Sequence, residues 1–143
     1  MCCALAEAKK AGQSGEVPVG CVIVHDNEIV ASAGNSCIKD NSPLRHAEVN
    51  AIEIACKKAK NYRLTDHIMF VTLEPCHMCC MAIVHARIKK VYFSLIEPKS
   101  GAVVTNDNFF DHEHLNHKVE YEYGSHELDS KKLLQNFFIN KRS

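Results

Sequence analysis

No run of about 18 apolar residues occurs anywhere in these 143 residues, so nothing in the chain is built to cross a bilayer as a helix. A secretory core is missing as well. Met1-Cys2-Cys3-Ala4-Leu5 runs into Glu7, Lys9 and Lys10 too soon to form one. Excess charge is absent: 17 Lys and Arg balance 17 Asp and Glu, which argues against a general nucleic-acid binder. There is no repeat, linker or low-complexity segment, so the expectation is a single domain over residues 1–143, long enough for a hydrophobic core. Without an export signal the eight cysteines read as thiols and the expected location is the cytoplasm.

Against these absences stands one dense motif. Leu73-Glu74-Pro75-Cys76-His77-Met78-Cys79 places two thiols at i and i+3 behind a proline, and His46-Ala47-Glu48 lies upstream. Cys76, Cys79 and His46 make three metal ligands and leave a fourth coordination position open, as catalytic zinc requires; structural zinc is closed by four. Two other readings compete. A redox C-x-x-C has no use for His46-Ala47-Glu48, and a structural zinc site wants a second close pair, which Cys2, Cys3, Cys21, Cys37 and Cys56 do not supply. Cys80, one residue further round a helix than Cys79, reads as core, and Cys21 and Cys56 as small hydrophobes. His112-Glu113-His114 with His117 could be a second metal site, but an ordinary polar loop explains it as well.

The spacing predicts a helix over Ala4 to Ala11 stopping at Gly12, then a hairpin of Val17 to His25 and Glu28 to Ala33 turning at Asp26-Asn27. Ser42-Pro43 suggests the start of a helix running to about Lys60, apolar on most sides. A strand at His67 to Leu73, a helix from Pro75 to about His85 and a strand at Lys90 to Leu95 form a right-handed crossover with parallel pairing. A polar loop (Glu97 to His117), a strand at Val119 to Tyr123 and a helix from about Leu128 to Asn140 complete a five-stranded mixed α/β sheet.

On this reading Cys76 and Cys79 share a helix face, and His46 lies in the first turns of another helix. Helix N-termini favour thiolate over thiol. Two thiolates and a neutral imidazole leave a bound zinc formally neutral, so a neighbouring base is needed. Glu48 can serve by taking a proton from the attacking water and passing it to a ring nitrogen and a leaving amine. The bland alternative is a surface glutamate, at odds with an otherwise apolar helix. H-x-E followed by P-C-x-x-C is the signature of zinc-dependent nucleobase deaminases. Basic clusters at Lys57, Lys58, Lys60 and Arg63, at Arg87, Lys89 and Lys90, and at Lys141-Arg142 can hold phosphates, although each also suits a solvated helix end.

The chain resembles the bacterial tRNA-specific adenosine deaminase family over nearly its whole length. The similarity runs through Glu16-Val17-Pro18-Val19-Gly20, Asn35 eleven residues before His46, Thr72 to Cys79, Ile83-Val84-His85-Ala86-Arg87-Ile88, Lys99-Ser100-Gly101-Ala102, Asn116 to Glu120, and Phe137-Phe138 followed by Lys141-Arg142. Departures fall at Cys80-Met81, Ser94 to Glu97 and Val103-Val104. The resemblance implies a three-layer α-β-α cytidine-deaminase fold, a homodimer with one zinc per subunit, and hydrolytic conversion of adenosine to inosine at the wobble position of a tRNA anticodon. His46, Cys76 and Cys79 would hold zinc, Glu48 would shuttle protons and Asn35 would contact the base. Phe137, Phe138, Lys141 and Arg142 would contact the anticodon stem-loop. Two alternatives stay open: a free guanine or cytosine deaminase of the same superfamily, and a zinc-stabilised RNA-binding module without catalysis, for which Glu48 would be idle.

Overall fold

A computed structural model describes residues 1–142; Ser143 lies outside it. Helix α1 spans Cys2–Gln13, followed by strands β1 (Gly20–His25) and β2 (Glu28–Gly34), helix α2 (Ala47–Ala59) and strand β3 (Ile68–Leu73). Helix α3 (His77–His85), strand β4 (Lys90–Leu95), a 3₁₀ turn (Phe109–Asp111), strand β5 (Glu120–Tyr123) and helix α4 (Glu127–Arg142) follow. The strands lie side by side as β2-β1-β3-β4-β5. β1 is antiparallel to both β2 and β3, whereas β3, β4 and β5 run parallel. The sheet is therefore mixed and five-stranded, as the sequence pattern predicts.

The hairpin forms where Asp26 and Asn27 both take left-handed backbone, with φ of 51° and 64°. Two successive residues of that kind match the right-handed twist of the strands they join, and Asp and Asn tolerate the conformation better than bulkier residues. On one face of the sheet α1 packs over β1, β2 and β3 and touches α4; on the other, α2 lies over β1 and β2 against α3. Gly20 is what lets α1 approach so closely, since a Cβ there would run into the backbone of Ala4 and Ala8. Between the layers, Met69, Val71, Val91 and Phe93 from the strands meet Ala51, Ala55 and Ile83 from the helices, all buried. Each large side chain among them contributes roughly 1.5–3 kcal/mol by leaving water.

Four local expectations need correction. α1 continues through Gly12 to Gln13. α2 begins at Ala47, not at Ser42-Pro43, because Ser42 Oγ accepts from the Leu44 amide in a separate turn (3.2 Å). α2 also buries one stripe (Ala47, Glu48, Ala51, Ala55) instead of most sides, and Ile54 is 45% exposed. Finally, the 97–117 segment is not simply a polar loop: Ala102, Val103, Phe109 and Phe110 turn into the core.

Candidate active site

His46 is the N-cap of α2, with extended backbone, and not a residue of its first turns. Cys76 holds the same position at α3, and Cys79 sits in that helix's first turn. Two helix N-termini thus converge on one site. His46 Nδ1 lies 3.6 Å from Cys76 Sγ and 3.4 Å from Cys79 Sγ. All three ligand atoms fall within 4.8 Å of one another, and among the described residues no other His, Cys, Asp and Glu side chains form such a group. With Zn–S near 2.3 Å and Zn–N near 2.0 Å, the edge of a tetrahedral site is about 3.5 Å, so the triad has the right size for zinc.

The chemistry of the triad agrees. The Cys76 thiol is drawn down to about 4, chiefly by the hydrogen bond from Cys79 and further by His46, although burial opposes this. Cys79 is pushed up by the same exchange, because the two sulfurs share one proton between them. His46 is raised, first by its hydrogen bond with Cys76. A bound divalent cation would take the place of that proton and favour the thiolate form of both sulfurs.

Glu48 is 4% exposed. Burial raises its carboxyl to about 7, with the Cys76 charge adding and its own backbone N–H and His46 opposing. A carboxyl near neutrality can both accept and return a proton, which suits general acid–base work. The group faces a cavity of about 260 Å³ lined by Val17, Asn35, His46, Leu73, Cys76, Glu97 and Ser100 among others. Asn35 does double duty: its Oδ1 accepts from the Ala47 amide at 2.7 Å, capping α2, while its NH₂ has no partner among the described residues.

Two buried glutamates that are not among the candidate ligands brace the cavity walls. Glu74 is 3% exposed and accepts from the amides of Glu97 (3.1 Å), Val104 (2.9 Å) and Thr105 (3.0 Å) and from the Thr105 hydroxyl. Burial alone would raise its pKa; those donors outweigh it and leave the carboxyl below its usual value. Gly101 passes so close to this carboxylate that a Cβ would collide with it. Across the cavity, Glu16 accepts from the amides of Ile38 (3.1 Å) and Lys39 (2.9 Å). Both glutamates lie in segments that carry the family resemblance, but nothing local in the sequence reveals the distant amides they hold.

The C-terminal residues lie elsewhere. Phe137 and Lys141 line a cleft of about 460 Å³ between α1 and α4, with the Lys141 ammonium 5.6 Å from the centre of the Phe137 ring. Phe138, Lys141 and Arg142 border a second cleft that also includes Lys99, beside the Glu97 to Ser100 wall of the metal-site cavity. None of the four touches the cavity itself. His112 pairs with Asp107 (2.9 Å), as does His77 (3.0 Å), so the histidine-rich loop is tied to α3 through the Asp107 carboxylate.

This fold, with three soft-to-borderline ligands and a buried carboxylate at two helix N-termini, defines a zinc-dependent deaminase. Residues 1–95 match the family model described as the cytidine and deoxycytidylate deaminase zinc-binding region. A tRNA-specific adenosine deaminase of Aquifex aeolicus is 44% identical over 98% of this chain and 92% of its own length. A structure solved in a study of A-to-I editing by tRNA:A34 deaminases at the wobble position is 39% identical, covering 92% of this chain and 95% of that one, with a TM-score of 0.89. A Bacillus subtilis guanine deaminase is further off on both measures, at 31% identity and a TM-score of 0.65, covering 93% of this chain and 89% of that one. The chain belongs to the tRNA-specific adenosine deaminase family.

Proposed function

We propose that this protein hydrolyses adenosine to inosine at the wobble position of a tRNA anticodon, with zinc held by His46, Cys76 and Cys79. The observation that carries the reading is Glu48: a buried carboxyl near neutral pKa, beside the metal triad and open to a cavity. A protein that only bound RNA would have no use for it, and burying it without a task costs stability.

Zinc, when bound, supplies a Lewis acid that makes a water nucleophilic at neutral pH. The chain's own residues do the rest. Glu48 takes a proton from the attacking water and delivers it to the ring nitrogen beside C6. It then carries the second proton to the departing amine. The C6–N bond breaks, ammonia leaves, and the balance is adenosine plus water giving inosine plus ammonia. Asn35 offers its NH₂ to the base while its carbonyl is fixed by α2, so the group that orients substrate is itself oriented. An anticodon loop suits such a site because its unpaired bases are cheaply splayed out.

Flanking nucleotides would meet Lys99, Phe138, Lys141 and Arg142, next to the Glu97 to Ser100 wall. The same reading gives a single catalytic domain over residues 1–143, a cytoplasmic homodimer and one zinc per subunit. Incubation with total tRNA followed by inosine analysis tests it. Glu48→Ala should keep its zinc and fold while turnover drops ~10²–10⁴-fold; near-normal turnover would remove Glu48 from the mechanism.

A further inference from the structure

Two basic clusters that are far apart in the sequence meet in the fold. Arg63 follows α2, Arg87 and Lys89 lie in the α3–β4 connection, and Lys118 precedes β5; all four line one shallow pocket of about 360 Å³. Asp66 and Glu120 share its rim, yet among the described residues none of the four cations is paired with a carboxylate. Three of them meet neutral groups instead. Arg87 donates to the Val84 carbonyl (2.9 Å), Lys118 to the His112 carbonyl (3.4 Å), and Arg63 stands 5.5 Å over the Tyr62 ring. Such partners aim a charge without neutralising it. Arg87 also sits in left-handed backbone (φ 63°), a conformation that a non-glycine residue adopts at some cost.

The pocket is at the far end of α3 from the metal triad. α3 has nine residues, so it is about 13 Å long. A nucleoside seated at Glu48 cannot also reach Arg87. We infer that this pocket binds backbone phosphates of the substrate RNA, in its stem, away from the base being deaminated. The inference rests on the RNA reading above. It adds a second point of attachment that orients the polymer and explains how a chain of zero net charge can hold a polyanion: the positive charge is local.

The test is a Lys89→Ala/Lys118→Ala double variant, measured against an anticodon stem-loop over a salt series. The slope of log affinity on log salt should flatten by about 0.9 for each phosphate no longer neutralised, thus by nearly two. KM should rise, with kcat at saturating RNA and zinc content unchanged. Lys89→Arg/Lys118→Arg should restore the slope. An unchanged slope in the alanine variant, with normal zinc content and thermal midpoint, overturns the inference and leaves the pocket to an acidic protein partner. Failure of the RNA reading would look different: the unaltered protein itself would form no inosine in any RNA.

Discussion

Glu74 shows how much one side chain can organise. Its carboxylate gathers three backbone amides and a hydroxyl from the segment that walls the cavity. Glu74→Ala would strand those donors, each at about 1–3 kcal/mol where it is buried. Since Thr105 is exposed, a total loss of about 2–4 kcal/mol in a denaturant titration is expected. A loss below about 1 kcal/mol would mean that the wall is held by something else. The Asp107 and His112 pair gives a pH signature. His112 is raised, first by the Asp107 carbonyl and then by its carboxylate, so its contribution is full below the unfolded value of 6.5 and fades as pH climbs through the folded value. Asp107 is lowered; burial opposes this but His112 and His77 outweigh it, so its contribution is present above 3.8 and is lost as pH falls through the folded value. The loop is therefore held best between roughly pH 4 and 6.5. In an NMR titration, Asp107→Asn should bring His112 part of the way back, because the carbonyl partner remains. No movement would show that the carboxylate is irrelevant.

Among the elements, α4 stands apart. Of its residues only Ser130 is buried; its last turns carry Phe138, Lys141 and Arg142 on the surface and leave Phe137 half-buried in the cleft against α1. Little of the core depends on its end. Deleting residues from Phe137 onward should thus leave zinc bound and the thermal midpoint within a few degrees, while RNA turnover weakens several-fold, more so as salt rises. Full turnover in that variant would disconnect the tail from substrate. Most strands and helices were legible from periodicity, since apolar alternation and the Asp26-Asn27 turn are local signals. The start of α2 was not. Its first amide is held by Asn35, twelve residues before Ala47, a partner that no window of neighbouring residues reveals.

For the molecule as a whole, the metal triad is a fastener. His46 follows the β2–α2 connection and the two cysteines follow β3, so a bound ion ties the two halves of the fold together. Cys76→Ser and Cys79→Ser should each lose zinc by metal analysis, with a lower thermal midpoint, and chelation of the unaltered protein should do the same. Zinc retained at full occupancy in both variants would dismiss the assignment.

Residue type and local pattern alone pointed to the three side chains that could hold a metal, the carboxylate beside them and the elements that carry both. These are written in residue type and short spacing, such as Cys76 to Cys79 and His46 to Glu48. Tertiary structure decided what no spacing encodes. It placed Asn35 against α2, set Glu74 and Glu16 under the two walls of the cavity, moved His46 from a helical turn to a cap, and joined Arg63, Arg87, Lys89 and Lys118 into one pocket. The division has a physical cause. Ligand identity and hydrophobic period are properties of neighbouring residues, whereas a buried carboxylate's partners and a pocket's charge depend on segments that meet only when the sheet has formed.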